Sequence, residues 1–369
     1  MAAKRFKSLL VAAFSLGIVL FSNSTFAQDH PTDSVTEEHA PAGHAEEKLD
    51  PAKIIMDHIK DAHEFHFFTV GDFHATIPLP VILYSPSNGF SVFSSSRFEH
   101  GHAEYKGYRL HEGEIHAVDG SKVYDFSLTK NVVQMIIALI VLVLLMTGIA
   151  KKYKKGLGVT TAPKGWQNAI EPVITFVRDD VAKPNLGKKA IKYLPYLLTV
   201  FFFILINNLF GLIPGSANVT GNTAFTAVLG IISLIVILFS TNSHFWGHIF
   251  WPPGVPLPVK LILIPIELLG ALVIKPAALI IRLFANMVAG HIIILSFISL
   301  IFIFGAMSKV AGWGFSPISI AFTVFIYFIE LLVAFIQAFI FTNLTAVFIG
   351  QAFEGGHDDV DGHADPVIL

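Results

Sequence analysis

Two apolar stretches, Val259–Lys309 and Ile318–Phe353, constrain this chain more than any other feature. As helices rising ~1.5 Å per residue they would run about 75 Å and about 50 Å, against a hydrocarbon core of ~30 Å and a usual tilt of ~20°. Neither fits a bilayer upright. They are expected to be steeply inclined, curved or folded back, and packed against one another. Arg282 stands inside the first, in the run IKPAALIIRLFANMVAG of Ile274–Gly290. A guanidinium at bilayer depth costs about 2.5–3.5 kcal/mol on insertion scales and does not escape by losing its proton.

Other polar residues share these stretches. At about 100° per residue, Lys275, Arg282 and Asn286 fall on one helix face, and His291 points roughly to the opposite side. Glu330 and Gln337, seven residues apart, share a face of the second stretch. Each has a bland explanation when taken singly. A core arginine can be satisfied by carbonyls, Asn286 or His291 can make an interhelical hydrogen bond, and Lys275 can snorkel. Together they favour an ion or proton path, because Glu and His can pass protons while Asn and Gln can only hydrogen-bond water.

The rest of the chain supports a polytopic membrane protein. Only 14% of the 369 residues are charged, against 53% hydrophobic, which excludes an ordinary soluble enzyme. With Cys 0 there is no disulfide framework and no thiolate metal or redox site. The lysines cluster where membrane topology places them, so no nucleic-acid stripe is read. Val132–Ile149 is an apolar run closed by Lys151, Lys152, Lys154 and Lys155, which the positive-inside rule puts in the cytoplasm. Trp166–Val181 carries Ile170, Val173, Ile174 and Val177 at helical spacing, and is expected to lie on the inner surface as an amphipathic helix. Tyr193–Pro214 then passes outward, the uncharged Gly215–Asn222 forms an outer loop, and Thr223–Thr241 returns. With the two long stretches this makes about five passes. The loop to Lys260 holds Trp246 and Trp251 at a headgroup belt.

The N-terminal portion is different. Residues 1–27 have a basic start (Lys4, Arg5, Lys7), an apolar run Leu9–Phe21 too short for a comfortable span, and small residues Thr25 and Ala27 before Gln28. They are expected to be a cleaved signal peptide. Residues 28–124 form an exported region. Gln28–Asp50 is a solvated acidic tract, Pro51–Phe65 a helix candidate, and Phe67–Asp119 a small β-rich domain containing ATIPLPVILY and FSVFSSS. Its histidines, among them His39, His44, His58, His63, His66, His74, His100 and His102, match no metal-ligand template. Residues 125–353 are read as the membrane domain, with the surface segment at 165–182, and 354–369 as an acidic cytoplasmic tail.

The run KPAALIIRLFANMVAGH resembles the signature of subunit a of F-type ATP synthases, and FIELLVAFIQAFIFTNLTAVF resembles that family's last helix. WQNAIEPVITFVRDD and NNLFGLIP extend the resemblance over roughly 125–353. It implies an all-α polytopic stator in the cell inner membrane that offers two aqueous half-channels to the carboxylates of a rotating c-subunit ring. The implied partners are the c ring, the b-subunit peripheral stalk, the remainder of the ATP synthase complex and membrane lipid. No cofactor, metal or catalysis by the chain alone is implied. By this resemblance Arg282 is the essential charge between the half-channels. Asn286, His291, Glu330 and Gln337 match polar positions of the proton path, with His and Glu exchanged relative to some bacterial members. Lys275 matches a basic residue before proline. Glu267 resembles an upstream glutamate, at a spacing to Lys275 one residue longer. Gly211 stands where many members carry an acid, which leaves Asn207, Asn208 and Asn222 as candidates for the outer inlet.

Two rival readings fit the residues less well. A self-contained secondary transporter or channel predicts inverted repeats, and the two long stretches do not resemble each other. An intramembrane metalloprotease needs HExxH, which is absent. On export, intact-mass measurement of the purified protein is expected to show a chain starting at Gln28; retention of Met1 would contradict cleavage.

Overall fold

The computed structural model describes residues 60–353, apart from 71–72, 102, 112, 157–161, 214 and 251–255. The segment expected as a signal peptide, the tract to residue 59 and the tail 354–369 lie outside these residues. The helix expected at Pro51–Phe65 falls mostly outside as well, and its described end is not helical: Glu64 and Phe65 open a strand.

Among the described residues seven short strands come first: β1 (Glu64–Val70), β2 (Phe73–Pro78), β3 (Pro80–Ser85), β4 (Gly89–Ser94), β5 (Tyr108–His111), β6 (Glu114–Ala117) and β7 (Tyr124–Asp125). They make two hairpins, β1–β2 and β5–β6, and a three-stranded sheet ordered β4-β3-β7. Alternation along β3 sends Val81 and Leu83 into a small core with Phe98, Tyr108 and Ile115. The β-rich region is anchored at its base. His63 Nε2 and Asp125 Oδ2 are 2.8 Å apart, and Phe65 packs against the hydrophobic cluster of the helical portion.

Among the described residues five helices are long and apolar enough to cross a membrane, so the chain is a multi-pass membrane protein. Its segments are α1 (Lys130–Lys154), α2 (Trp166–Phe176), α3 (Ala190–Gly211), α4 (Thr223–Ser240), α5 (Ser243–Phe250), α6 (Leu257–Leu269), α7 (Lys275–Met307) and α8 (Lys309–Phe353). The central one is α3, where Leu197, Val200, Phe201, Phe203 and Ile204 are fully buried. The segment expected at the membrane surface is helical and gives its apolar side to protein: Val177 and Val181 are buried, and the Phe176 ring lies against Phe335 and Phe339 of α8.

Two π turns have a shared cause. Val177–Ala182 and Gly270–Ile274 each stand just before a proline, Pro184 and Pro276. A proline ring clashes with the carbonyl four residues earlier, and widening the turn relieves that contact. The second π turn lies between Glu267 and Lys275.

The last two helices form an antiparallel hairpin. Phe304 meets Phe315, Phe297 stacks on Phe322, Gly290 and His291 face Glu330, and Lys275 reaches Phe348 and Gln351. The final helix starts at Lys309, not near Ile318. Ser308, in an extended conformation, makes the break, and its hydroxyl caps the new helix by accepting from Ala311 N at 3.1 Å. Gly312 packs directly on the backbone of Gly305, so these two glycines allow close helix approach at the tip. Ser243–Phe250, expected as loop, is likewise helical.

Asp125 gives the β-rich region a pH dependence. Burial raises its pKa, but hydrogen bonds from His63 and Ser127 outweigh burial and hold the carboxyl below its ordinary 3.8. A depressed carboxylate contributes stability above the unfolded value and loses it as pH falls through the folded one. Protection of 60–125 from protease is therefore expected to fall as pH drops below about 4, with a flatter profile in Asp125→Asn. An unchanged profile in that variant would contradict the assignment.

Candidate functional site

The polar residues of the hairpin separate into two groups by where they point. Pro276, Leu279, Leu283, Met287 and Ile294 form the buried stripe of α7. His291 lies on one flank of that stripe, and Arg282 and Asn286 lie on the other, as the helical spacing predicts.

His291 faces the protein. Its Nδ1 is 2.7 Å from Glu330 Oε1 and 3.1 Å from the Met287 carbonyl, while Nε2 is 3.1 Å from the Gly211 carbonyl at the end of α3. Oxygen atoms therefore stand on both sides of the ring, within reach of both ring nitrogens. Glu330 is buried, and its approach to His291 is an ion-pair contact without the alignment of a good hydrogen bond. Gly290 makes room for it: a Cβ there would come within 2.8 Å of Glu330 Oε1. The sequence pattern did not single out this glycine, although a glycine beside an intramembrane histidine is a usable signal for close approach.

Asn207 and Asn208 lie on α3 beside this pair and are fully buried. Asn207 donates to Phe203 O at 2.8 Å, and Asn208 donates across to Ala334 O of α8 at 3.0 Å. Their Oδ1 atoms accept no hydrogen bond from the protein. Buried acceptors of this kind are costly in a dry interior. Asn222 stands apart as the N-cap of α4, accepting from Ala224 N at 2.9 Å and Phe225 N at 3.3 Å.

Arg282 and Asn286 are exposed on the single chain, and among the described residues Arg282 makes no ion pair. Along the hairpin Arg282 lies between the His291 and Lys275 levels, and Gln337 between the Glu330 and Phe348 levels, with its side chain buried. Lys275 Nζ donates to Gln351 Oε1 at 2.8 Å and sits 5.0 Å above the Phe348 ring, which ties the start of α7 to the end of α8. Glu267 is half-buried and makes no ion pair among the described residues. Sequence reasoning missed Gln134. Its side-chain amide pairs with both backbone polar groups of Ala217, accepting from Ala217 N at 2.7 Å and donating to Ala217 O. A lone glutamine in an apolar run was the available signal.

Comparison with known proteins bears on this geometry. Residues 132–350 match the family described as ATP synthase A chain, and residues 54–134 match a domain of unknown function. ATP synthase subunit a of Chloroherpeton thalassium is 46% identical over 246 residues, covering 65% of this chain and 72% of the relative. ATP synthase subunit a 2 of Chlorobaculum tepidum is 39% identical over 327 residues, 87% of this chain and 78% of the relative. ATP synthase subunit a of Pelodictyon phaeoclathratiforme is 37% identical over 349 residues, 92% of this chain and 89% of the relative.

Proposed function

This chain belongs to the ATP synthase subunit a family, and from that premise we propose that it is the stator through which protons reach and leave the carboxylates of a c-subunit ring. As a subunit it is a component of the complex rather than a catalyst by itself. The observation that carries the reading is the split of polar groups across α7. His291 and Glu330 face inward, beside buried amide oxygens that water would satisfy, while Arg282 faces outward on an otherwise apolar surface. The inward group is the inlet, opened from the periplasm past Asn207 and Asn208. The outward arginine meets the ring.

In this reading Arg282 does two things. A fixed cation between two half-channels stops protons short-circuiting from one to the other. It also favours ionisation of each passing ring carboxylate. At ~4 Å and an effective dielectric of ~20 the attraction is about 4 kcal/mol. One charge crossing 100 mV yields about 2.3 kcal/mol. The arginine's field thus exceeds the work of one proton and forces release before reloading. Asn286 and Gln337 hydrogen-bond water on the way, and Lys275, held by Gln351, closes the hairpin at the inner end. Asn222, a helix cap, has a local structural role and is the weaker of the inlet candidates. The signal peptide puts the mature N-terminus in the periplasm, and five passes put the C-terminus in the cytoplasm of an inner-membrane protein. The b-subunit stalk completes the stator.

Arg282→Ala is expected to abolish ATP-driven proton pumping in membrane vesicles while the c ring and catalytic head still co-purify. Arg282→Lys should be nearly as inactive, because lysine keeps a charge but loses the planar fork and can be deprotonated when desolvated. Near-normal pumping by the lysine variant would remove the arginine from this role, and a chain that purifies alone would contradict the stator.

A further inference from the structure

The β-rich region has a physical route to His291. It begins at α1, whose own N-cap residue Thr129 makes no side-chain capping bond. The cap comes instead from the start of the β-rich region. Asp61 Oδ1 accepts from Asn131 N at 3.2 Å and from Ala62 N at 2.9 Å, and Lys130 N donates to Ala62 O at 2.9 Å. A carboxylate on a helix N-terminus satisfies free amide groups and complements the helix dipole. One turn further, Gln134 grips both backbone polar groups of Ala217, and both residues are buried. Ala217 then abuts the end of α3, where a Cβ at Gly211 would lie 3.7 Å from Ala217 O. The Gly211 carbonyl is the group that meets His291 Nε2.

We propose that the β-rich region is a clamp on the outer end of the proton inlet, with Gln134 as the positioning residue that passes its hold from α1 to the Gly211 carbonyl. The proposal rests on the reading of His291 as part of that inlet. The region then serves to fix the loop 212–222 so that the histidine keeps its contact. An isosteric change that removes the grip lets the loop and the Gly211 carbonyl drift, so proton uptake weakens on the outer side only. The inner outlet, bounded by Lys275 and Gln351, is untouched.

The test uses the whole ATP synthase, with the full chain, reconstituted in liposomes with the catalytic head outward. ATP synthesis is measured at a fixed imposed potential while lumenal pH and external pH are varied separately. Gln134→Leu and Asp61→Ala are each expected to weaken the apparent affinity for lumenal protons by about threefold to tenfold, the scale of one or two neutral hydrogen bonds. The dependence on external pH should be unchanged. Gln134→Glu keeps the acceptor for Ala217 N and should recover part of the loss, and Tyr84→Ala, on the exposed face of β3, should behave as wild type. Amide exchange over 212–222 should quicken in Gln134→Leu and Asp61→Ala alone. A wild-type lumenal curve, or equal displacement of both curves, overturns the clamp. If Gln134→Leu does not assemble, Asp61→Ala carries the same two outcomes. Arg282→Ala in the same liposomes separates the two claims: if it synthesises ATP normally, the stator reading fails, whereas an unshifted Gln134→Leu beside a dead Arg282→Ala removes only the clamp.

Discussion

A carboxylate and an imidazole held between apolar helices depend on each other. Glu330 is nearly sealed from solvent, and His291 is the group in ion-pair contact with it. Removing one partner from such a pair is far more costly than exchanging both, because an uncompensated polar group remains in a low dielectric. Much of the hairpin stems from that contact. Gly290 lets α8 come close enough, the register from Phe304–Phe315 to Lys275–Gln351 keeps the two residues level, and the Gly211 carbonyl completes the ring's surroundings from α3.

Arg282 is the opposite case. It sits on the same helix and is neither buried nor paired within the described residues. A cation on an apolar surface is stable only where something beyond the chain receives it, and in this account the ring's carboxylates do so. The two flanks of α7 therefore differ in kind: one holds its polar groups inside the chain, the other presents a charge at the surface. The buried stripe between them keeps the two from merging.

Much of this is legible in the sequence, because helical periodicity is a strong signal when the background is uniformly apolar. The spacing of Lys275, Arg282, Asn286 and His291 assigns the two flanks correctly, and the short runs ATIPLPVILY and FSVFSSS, broken by turn residues, fall on β2 to β4. What periodicity carries is the face of one element, not its partner. Asp61 caps a helix from 70 residues away, and Gln134 binds a peptide 83 residues on, so neither role has a local pattern. The start of α8 escapes local pattern for a related reason. The expected stretch begins at Ile318, but packing of Gly312 against Gly305 and a cap from Ser308 carry the helix back to Lys309. Asn222 reads as a polar lining residue, while its position just before an apolar run is also the mark of an N-cap.

If His291 and Glu330 act as one proton-passing unit, the requirement is one imidazole and one carboxylate in contact, whichever helix carries each. The most direct measurement is a double-mutant cycle on proton pumping with His291→Glu, Glu330→His and the exchanged pair, assembly being verified in all four proteins. Each single change places like groups together, two carboxylates or two imidazoles, which cannot both be charged cheaply at that depth. The account predicts that each single variant loses most of its proton flux and that the exchanged pair recovers a substantial part. Additive losses, with the double variant worse than either single one, would show that the two residues act separately and would contradict the paired inlet.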